Sequence, residues 1–220
     1  MRSPRAVSIC RPGLTRYEDA LSLQRRLQEE RQAGQRGDTL LLTEHLPVIT
    51  LGRNHPEPDL QVDRAVLAER NVDVVQTERG GDITYHGPGQ LVAYGIVDLR
   101  AWGIGAVDYV TGLEDAVIAV LARYGVQAER RADARGVWVE ARKVASVGVN
   151  VRQGVTMHGI ALNVALDTSG FELINPCGMP GVQMTSVSRE AGKQVDVAEA
   201  GEAFVRQFGA VFGCAILPGA

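Results

Sequence analysis

The sequence predicts an α+β fold: mixed, largely antiparallel sheets flanked by helices, with the helices on one face. Three observations predict it. Apolar runs of strand length recur along the chain. Two long segments carry helical spacing instead. Three consecutive β runs are separated by only a few residues each, as hairpins require. No internal repeat, low-complexity tract or linker divides the 220 residues, so 1–220 reads as a single domain.

Thr15-Arg16-Tyr17-Glu18 has the pattern of a capping box and predicts a helix to about Ala33, closed by Gly34. Thr39 to Thr43 and Val48 to Leu51 are short apolar runs around Pro47, and read as strands. Asp63 to Arg70 predicts a short helix, and Val72 to Gln76 a strand. Leu91 to Leu99 predicts another strand. Val107 to Tyr124 is the clearest helix: Leu113, Val117, Val120, Leu121 and Tyr124 share one side, and Gly125 ends it. Gly136 to Glu140, Val144 to Val151 and Val155 to Val164 form the hairpin run, with Lys143 and Arg152 in the turns. Asp167 to Gln183 is irregular, Met184 to Val187 predicts a last strand, and Val195 to Phe212 a last helix.

The bulk composition excludes several classes. With 45% hydrophobic and 22% charged residues the chain is an ordinary globular one. A net charge of -3 gives no case for nucleic acid or an anionic membrane as partner. No run approaches the roughly 18 apolar residues of a membrane span, and no secretory h-region follows Met1. Cys10, Cys177 and Cys214 lack metal spacing, and no two histidines stand at it either, so no metal is expected. Neither GxxxxGK[ST] nor a strand-linked GxGxxG occurs, and no cofactor is expected. A reducing cytoplasm is the simplest setting.

Chemistry concentrates in a few places. The stretch Arg79-Gly80-Gly81-Asp82-Ile83-Thr84-Tyr85-His86 continues through Gly87-Pro88-Gly89-Gln90. It combines glycines, which let a ligand approach the backbone, with side chains that bind and orient. It reads as a ligand cradle or as a long connection whose glycines serve turns. Cys177 lies in Asn175-Pro176-Cys177-Gly178-Met179-Pro180-Gly181, a rigid loop that suits a presented nucleophile. Cys10 and Cys214 lie in apolar runs and read as structural. Lys143 and Lys193 are the two lysines among 23 basic residues. Lysine can pass a proton and arginine cannot, so Lys143 reads as a proton carrier or as a solvated turn residue. His86 and His158 are further candidates for an acid–base or hydrogen-bonding role. Gly148, Gly159 and Ala161 lie on adjacent β runs. They leave either an apolar slot floored by Val147, Val149, Ile160 and Leu162, or merely bulges and tight packing.

The segments Arg79-Gly80-Gly81, Thr84 to Leu91, Lys143 to Val149, His158-Gly159-Ile160-Ala161-Leu162-Asn163 and Asn175-Pro176-Cys177-Gly178 occur in that order. Together they closely resemble the lipoyl(octanoyl) transferase family. The resemblance implies a fold like the catalytic domain of biotin and lipoate protein ligases. It implies transfer of an octanoyl group from octanoyl-acyl carrier protein to a lysine of lipoyl domains. The acceptors would be those of 2-oxoacid dehydrogenase complexes and the glycine cleavage H protein. It implies that Cys177 forms an acyl-thioester and that Lys143 lowers its pKa and moves protons. The acyl site it implies is Arg79 to His86, Ser146-Val147-Gly148 and Gly159-Ile160-Ala161, with His158 in support. Gly95 stands where family members often have proline.

The implied donor is already a thioester, so exchange needs no ATP. Backbone N–H groups of the glycine-rich loop, or near Gly178, are expected to hold the oxyanion. Arg130, Arg131, Arg135 and Arg142 are the expected docking patch for an acidic carrier, or a solvated arginine-rich face. Two other activities compete on the same residues: an ATP-dependent lipoate or biotin protein ligase, and a non-catalytic medium-chain acyl-binding protein. A cysteine hydrolase is a weaker third.

Overall fold

A computed structural model describes residues 5–53, 60–175 and 181–218. The larger sheet opens with β1 (Ala6–Thr15) and β2 (Asp38–His45), joined by helix α1 (Tyr17–Gln32). β3 (Val48–Leu51), α2 (Arg64–Glu69), β4 (Asp73–Gln76) and β5 (Thr84–His86) build the smaller sheet. β6 (Gln90–Ile96), α3 (Leu99–Trp102) and α4 (Ala106–Arg123) follow. Next come β7 (Glu129–Arg130), β8 (Val137–Val139), β9 (Arg142–Arg152) and β10 (Val155–Asn163). A 3₁₀ helix (Thr168–Leu173), β11 (Gln183–Met184), α5 (Val187–Ala191), α6 (Val197–Phe212) and β12 (Ala215–Leu217) complete the chain.

The larger sheet runs β12-β1-β2-β6-β10-β9-β8-β7, with β11 paired to β9; the smaller runs β4-β3-β5. β1 pairs in parallel with both neighbours, while β2, β6, β10, β9 and β8 pair antiparallel along the middle. The mixed, largely antiparallel character expected from the hairpins is present.

Helices cover both faces rather than the one expected. Successive strand residues alternate between two cores. Leu40, Leu42, Leu91, Ala93, Ile160 and Leu162 face α4 and α6, in one cluster with Leu113, Val117, Phe204 and Phe208. Leu41, Val92, Tyr94, Ile96 and Ala161 face α1, in another with Tyr17, Leu21 and Leu27. Burial on both faces explains why β2 and β6 read as continuous apolar runs. The smaller sheet has its own core, with Ile49, Leu51, Ile83, Tyr85 and Phe171.

Several local expectations change. β1 is absent from the sequence reading because Arg11-Pro12-Gly13 interrupts its apolar run; a register shift between Cys10 and Gly13 absorbs the interruption. Thr15 does not cap α1. It ends β1, its hydroxyl lies 3.0 Å from Thr43 Oγ1 and 3.2 Å from His45 Nδ1, and Arg16 takes the N-cap position with no side-chain bond. The strand expected to reach Val187 stops at Met184, and Ser186 caps α5 instead, accepting from Arg189 N at 3.4 Å. Lys143 is no turn residue: it lies in β9 and is buried. The turn before it holds Glu140 at φ 52°, and the turn after β9 holds Gln153 and Gly154 at φ 53° and 90°.

Gly95 has a packing reason. A Cβ there would overlap the hydroxyl of Tyr109, which is wholly buried on α4. Gly95→Ala is expected to cost about 1–3 kcal/mol through overpacking. Adding Tyr109→Phe, which removes that oxygen, should recover most of the lost melting temperature. Strictly additive losses in the pair would refute the overlap.

Candidate active site

The site forms where the smaller sheet lies against the larger one. Arg79, Gly81, Asp82, Ile83, Thr84 and His86 of the glycine-rich segment wall one side of a cleft. Ser146, Val147 and Gly148 of β9, with His158, Gly159, Ile160 and Ala161 of β10, wall the other. Tyr17, Val92 and Tyr94 complete it; the sequence marked them only as helix and strand residues. Gly148 and Gly159 are direct register partners, as are Ser146 and Ala161. The small residues therefore meet as the sequence pattern expected.

Four expected positions differ. Tyr85 points away from the cleft, because alternation along β5 sends Thr84 and His86 inward and Tyr85 into the smaller core, 5.6 Å from Phe171. All four of Val147, Val149, Ile160 and Leu162 pack in the α4–α6 core, but Val147 and Ile160 also line the cleft, whereas Val149 and Leu162 do not. Gly80 acts through its backbone. Its N–H donates to Val149 O at 3.1 Å, and its carbonyl would lie 2.6 Å from any Cβ at Gly148. That N–H is committed and is not an oxyanion donor.

Arg79 is a buried tie. Its Nη2 donates to Thr50 O at 2.6 Å and Thr50 Oγ1 at 2.9 Å, and its Nε donates to the same hydroxyl at 3.2 Å. Gln90 joins the cleft to the larger sheet. Its Nε2 donates to Asn163 Oδ1 at 2.9 Å, and Asn163 Nδ2 donates to Thr185 O at 2.9 Å. Gln90 Oε1 then accepts from His86 Nδ1 at 2.7 Å, leaving Nε2 facing Thr50 Oγ1 at 3.4 Å. Asn163 was quoted in the resemblance without a role, and this bridge supplies one.

His158 breaks strand alternation. Its φ of 62° is left-handed, and its ring lies 6.1 Å from that of Tyr94, on the α1 side rather than beside Ile160 and Leu162. Gln24 Oε1 accepts from its backbone N–H at 2.9 Å, while both ring nitrogens are buried without a hydrogen-bond partner among the described residues. Such a conformation costs about 1–3 kcal/mol and is a mark of functional sites.

Burial keeps all three histidines of this region neutral. It pushes His158 down to about 4 and His45 to about 4. It pushes His86 to about 3, with His45 beside it adding to the effect. Burial also raises Tyr17 to about 12. His45 and His86 are hydrogen-bonding groups at neutral pH, and all three rings are poor proton acceptors.

Lys143 is 2% exposed, with its Nζ 5.4 Å from the Trp138 ring centroid. β11 pairs beside it, Met184 opposite Lys143, and Thr185 N donates to Lys143 O at 3.0 Å. Cys177, the expected nucleophile, lies outside the described residues, in the segment leading into β11. Cys10 and Cys214 are half-buried free thiols, and burial lifts Cys214 to about 11. The expected arginine patch carries acids: Arg130 pairs with Asp115 at 3.3 Å, Arg135 with Glu114 at 3.4 Å, and Arg142 with Glu190 at 2.8 Å. Arg131 caps the Glu140 carbonyl at 2.8 Å. Among the described residues no group of three metal-ligating side chains forms, and no helix is long and apolar enough to cross a membrane.

This fold is that of lipoate and biotin protein ligase catalytic domains. A bi-partite lipoate protein ligase from Thermoplasma acidophilum superposes with a TM-score of 0.72 at 14% identity, covering 98% of this chain and 86% of that one. A biotin protein ligase from Aquifex aeolicus gives 0.55 at 12%, covering 97% and 70%. The model of the lipoyl protein ligase A/B catalytic domain matches residues 16–209, and the chain belongs to that family. An octanoyltransferase of Chloroflexus aurantiacus is 50% identical over 204 residues, 91% of each chain.

Two outcomes follow from this geometry. A Cβ at Gly159 would overlap Ala93 O within the larger sheet, whereas one at Gly148 would lie 2.6 Å from Gly80 O and 3.4 Å from Arg79 Cδ in the loop. Gly159→Ala should lower the melting temperature. Gly148→Ala should lower it less but reduce transfer by about tenfold or more through displaced contacts. The reverse order would contradict the docking described. The histidines set a pH dependence. Their folded values lie below the unfolded 6.5, so between those limits the unfolded chain binds more protons. Their contribution is complete above about pH 6.5 and is lost as pH falls toward about 4. The urea midpoint should drop between about pH 7 and about pH 4.5; equal midpoints would refute neutral burial.

Proposed function

We propose that this chain is an acyltransferase that moves an octanoyl group from octanoyl-acyl carrier protein to a lysine of lipoyl domains. The observation that carries the reading is the 50% identity, over 91% of both chains, with a protein named octanoyltransferase. The cleft supports it. Val92, Val147, Ile160 and Ala161 give an apolar slot between the glycine-rich segment and two strands. Chain 1–220 acts in this reading as one catalytic domain, in the cytoplasm. The acceptors are the lipoyl domains of 2-oxoacid dehydrogenase complexes and the glycine cleavage H protein.

The reaction runs in two exchanges. The Cys177 thiolate attacks the donor thioester carbonyl; a new C–S bond forms, the old one breaks, and the carrier leaves as a thiolate that takes a proton. The acceptor amine then attacks the acyl-Cys177 carbonyl. An amide bond forms, the cysteine thiolate leaves, and the proton lost by the amine balances the one taken by the carrier. Lys143 is the carrier of that proton. Its strand meets β11, downstream of Cys177. In this reading Lys143 rather than a histidine carries the proton, and His86 and His158, kept neutral by burial, support the slot as uncharged side chains.

Intact mass of the protein mixed with octanoyl-acyl carrier protein, without ATP or acceptor, tests this directly. An octanoyl adduct should appear on the native chain and be absent from Cys177→Ala, which should lose transfer. Acylation that needs free octanoate and ATP would replace the reading with the ligase; binding without turnover would replace it with the acyl-binding protein. Release of free octanoate would point to the hydrolase.

A further inference from the structure

The walls around Lys143 hold an unassigned polar contact. We propose that Glu114 of α4, acting through the backbone of Gly136, is a positioning residue for Lys143; this rests on the proton-carrying role of Lys143.

The β8–β9 ladder pairs Val137 with Ala145 and then Trp138 with Lys143, so Val144 is an extra residue on β9. A bulge of this kind re-aims the adjacent side chain. Two walls then fix the re-aimed lysine. One is the Trp138 ring, itself held by its Nε1 donating to Ala134 O at 3.1 Å. The other is Gly136, at φ 117°, where any Cβ would overlap Ala145 O and come within 2.6 Å of Lys143 Cε and 3.4 Å of its Nζ. The lysine stem runs against bare backbone there.

That backbone is anchored by one buried carboxylate. Gly136 N donates to Glu114 Oε1 at 2.8 Å, and Glu114 is 1% exposed. Arg135 Nη1 reaches its other oxygen at 3.4 Å, from a side chain that is mostly solvated. Glu114 does not line the cleft, so it touches no acyl chain. A buried carboxylate is costly unless it is well bonded. Bonds to a backbone N–H and a guanidinium are charge-assisted and offset that cost. The order of contacts is a rigid helix, its carboxylate, the Gly136 amide, and the stem of Lys143. Loss of the carboxylate frees the 134–136 strap and with it one wall of the lysine.

The test uses the full chain, with active sites counted by octanoyl adduct so that misfolded protein does not enter the rate. Glu114→Ala should lower kcat per counted site by about tenfold or more, with KM for octanoyl-acyl carrier protein within about twofold. Glu114→Gln keeps an oxygen for Gly136 N and should stay within about threefold of the native rate. Gly136→Ala pushes on the stem with Glu114 intact and should repeat the kcat loss; it decides the matter where Glu114→Ala does not fold. Native kcat in Gly136→Ala or in folded Glu114→Ala overturns the proposal, as does Glu114→Gln matching the alanine variant. Lys143→Ala separates the two ideas. If it still transfers, the role of Lys143 fails first; if it is inactive while the others are native, only the positioning fails.

Discussion

The site depends on one close approach: the backbone of Gly80 lying on β9 at Gly148. The Gly80 N–H bonds to Val149 O, and its carbonyl takes the space where a side chain at 148 would stand. A second approach supports it from the smaller sheet, where Gly52 N donates to Asp82 O at 3.1 Å and a Cβ at Gly52 would overlap Gly81 O. The glycine-rich segment is thus clamped between two sheets by backbone contacts, with the Arg79 guanidinium on Thr50 as a further tie. Its side chains are left to Arg79, Thr84 and His86, which turn into the cleft. Flexibility is the lesser reason for these glycines; proximity is the greater.

The polar groups of the cleft are satisfied in an ordered way that fixes their chemistry. Thr50 Oγ1 accepts from Arg79, and its single proton is left for His86 Nε2. His86 Nδ1 is committed to Gln90, and Gln90 to Asn163. His45 Nε2 shares a proton with the Tyr94 hydroxyl at 2.8 Å. Such a chain in a low-dielectric setting holds the rings in place, and the same setting removes their basicity. The result is a set of rings that hydrogen-bond without carrying charge, beside the fixed cation of Arg79. The exception, His158, has neither nitrogen engaged among the described residues and a left-handed backbone, so both costs fall on one residue.

Much of this was legible in the sequence where a local signal and a tertiary role coincide. The helices α1, α4 and α6 followed from spacing, because their apolar faces are also their packing faces. The pairing of Gly148 with Gly159 followed from two adjacent β runs and a short turn. Other features had no local trace. A helix on the second face is a property of α1 returning across β6 and β10, which no single segment encodes. Tyr17 reads as an ordinary helix residue until the smaller sheet places His86 5.9 Å from it. Tyr85 looked like a site residue by its company, and the pleat alone turned it away.

Lys143 is the instructive case, since composition and geometry reach it by separate routes. A chain that uses arginine almost everywhere keeps lysine here, and the sequence left a solvated turn as one explanation. Burial removes that explanation. Between the Trp138 ring and the bare backbone of Gly136 there is a channel for a linear stem. A guanidinium is planar and wider, and it holds its proton at any ordinary pH. The channel therefore selects lysine by shape, and the proton-carrying role proposed for Lys143 adds a separate reason that concerns chemistry.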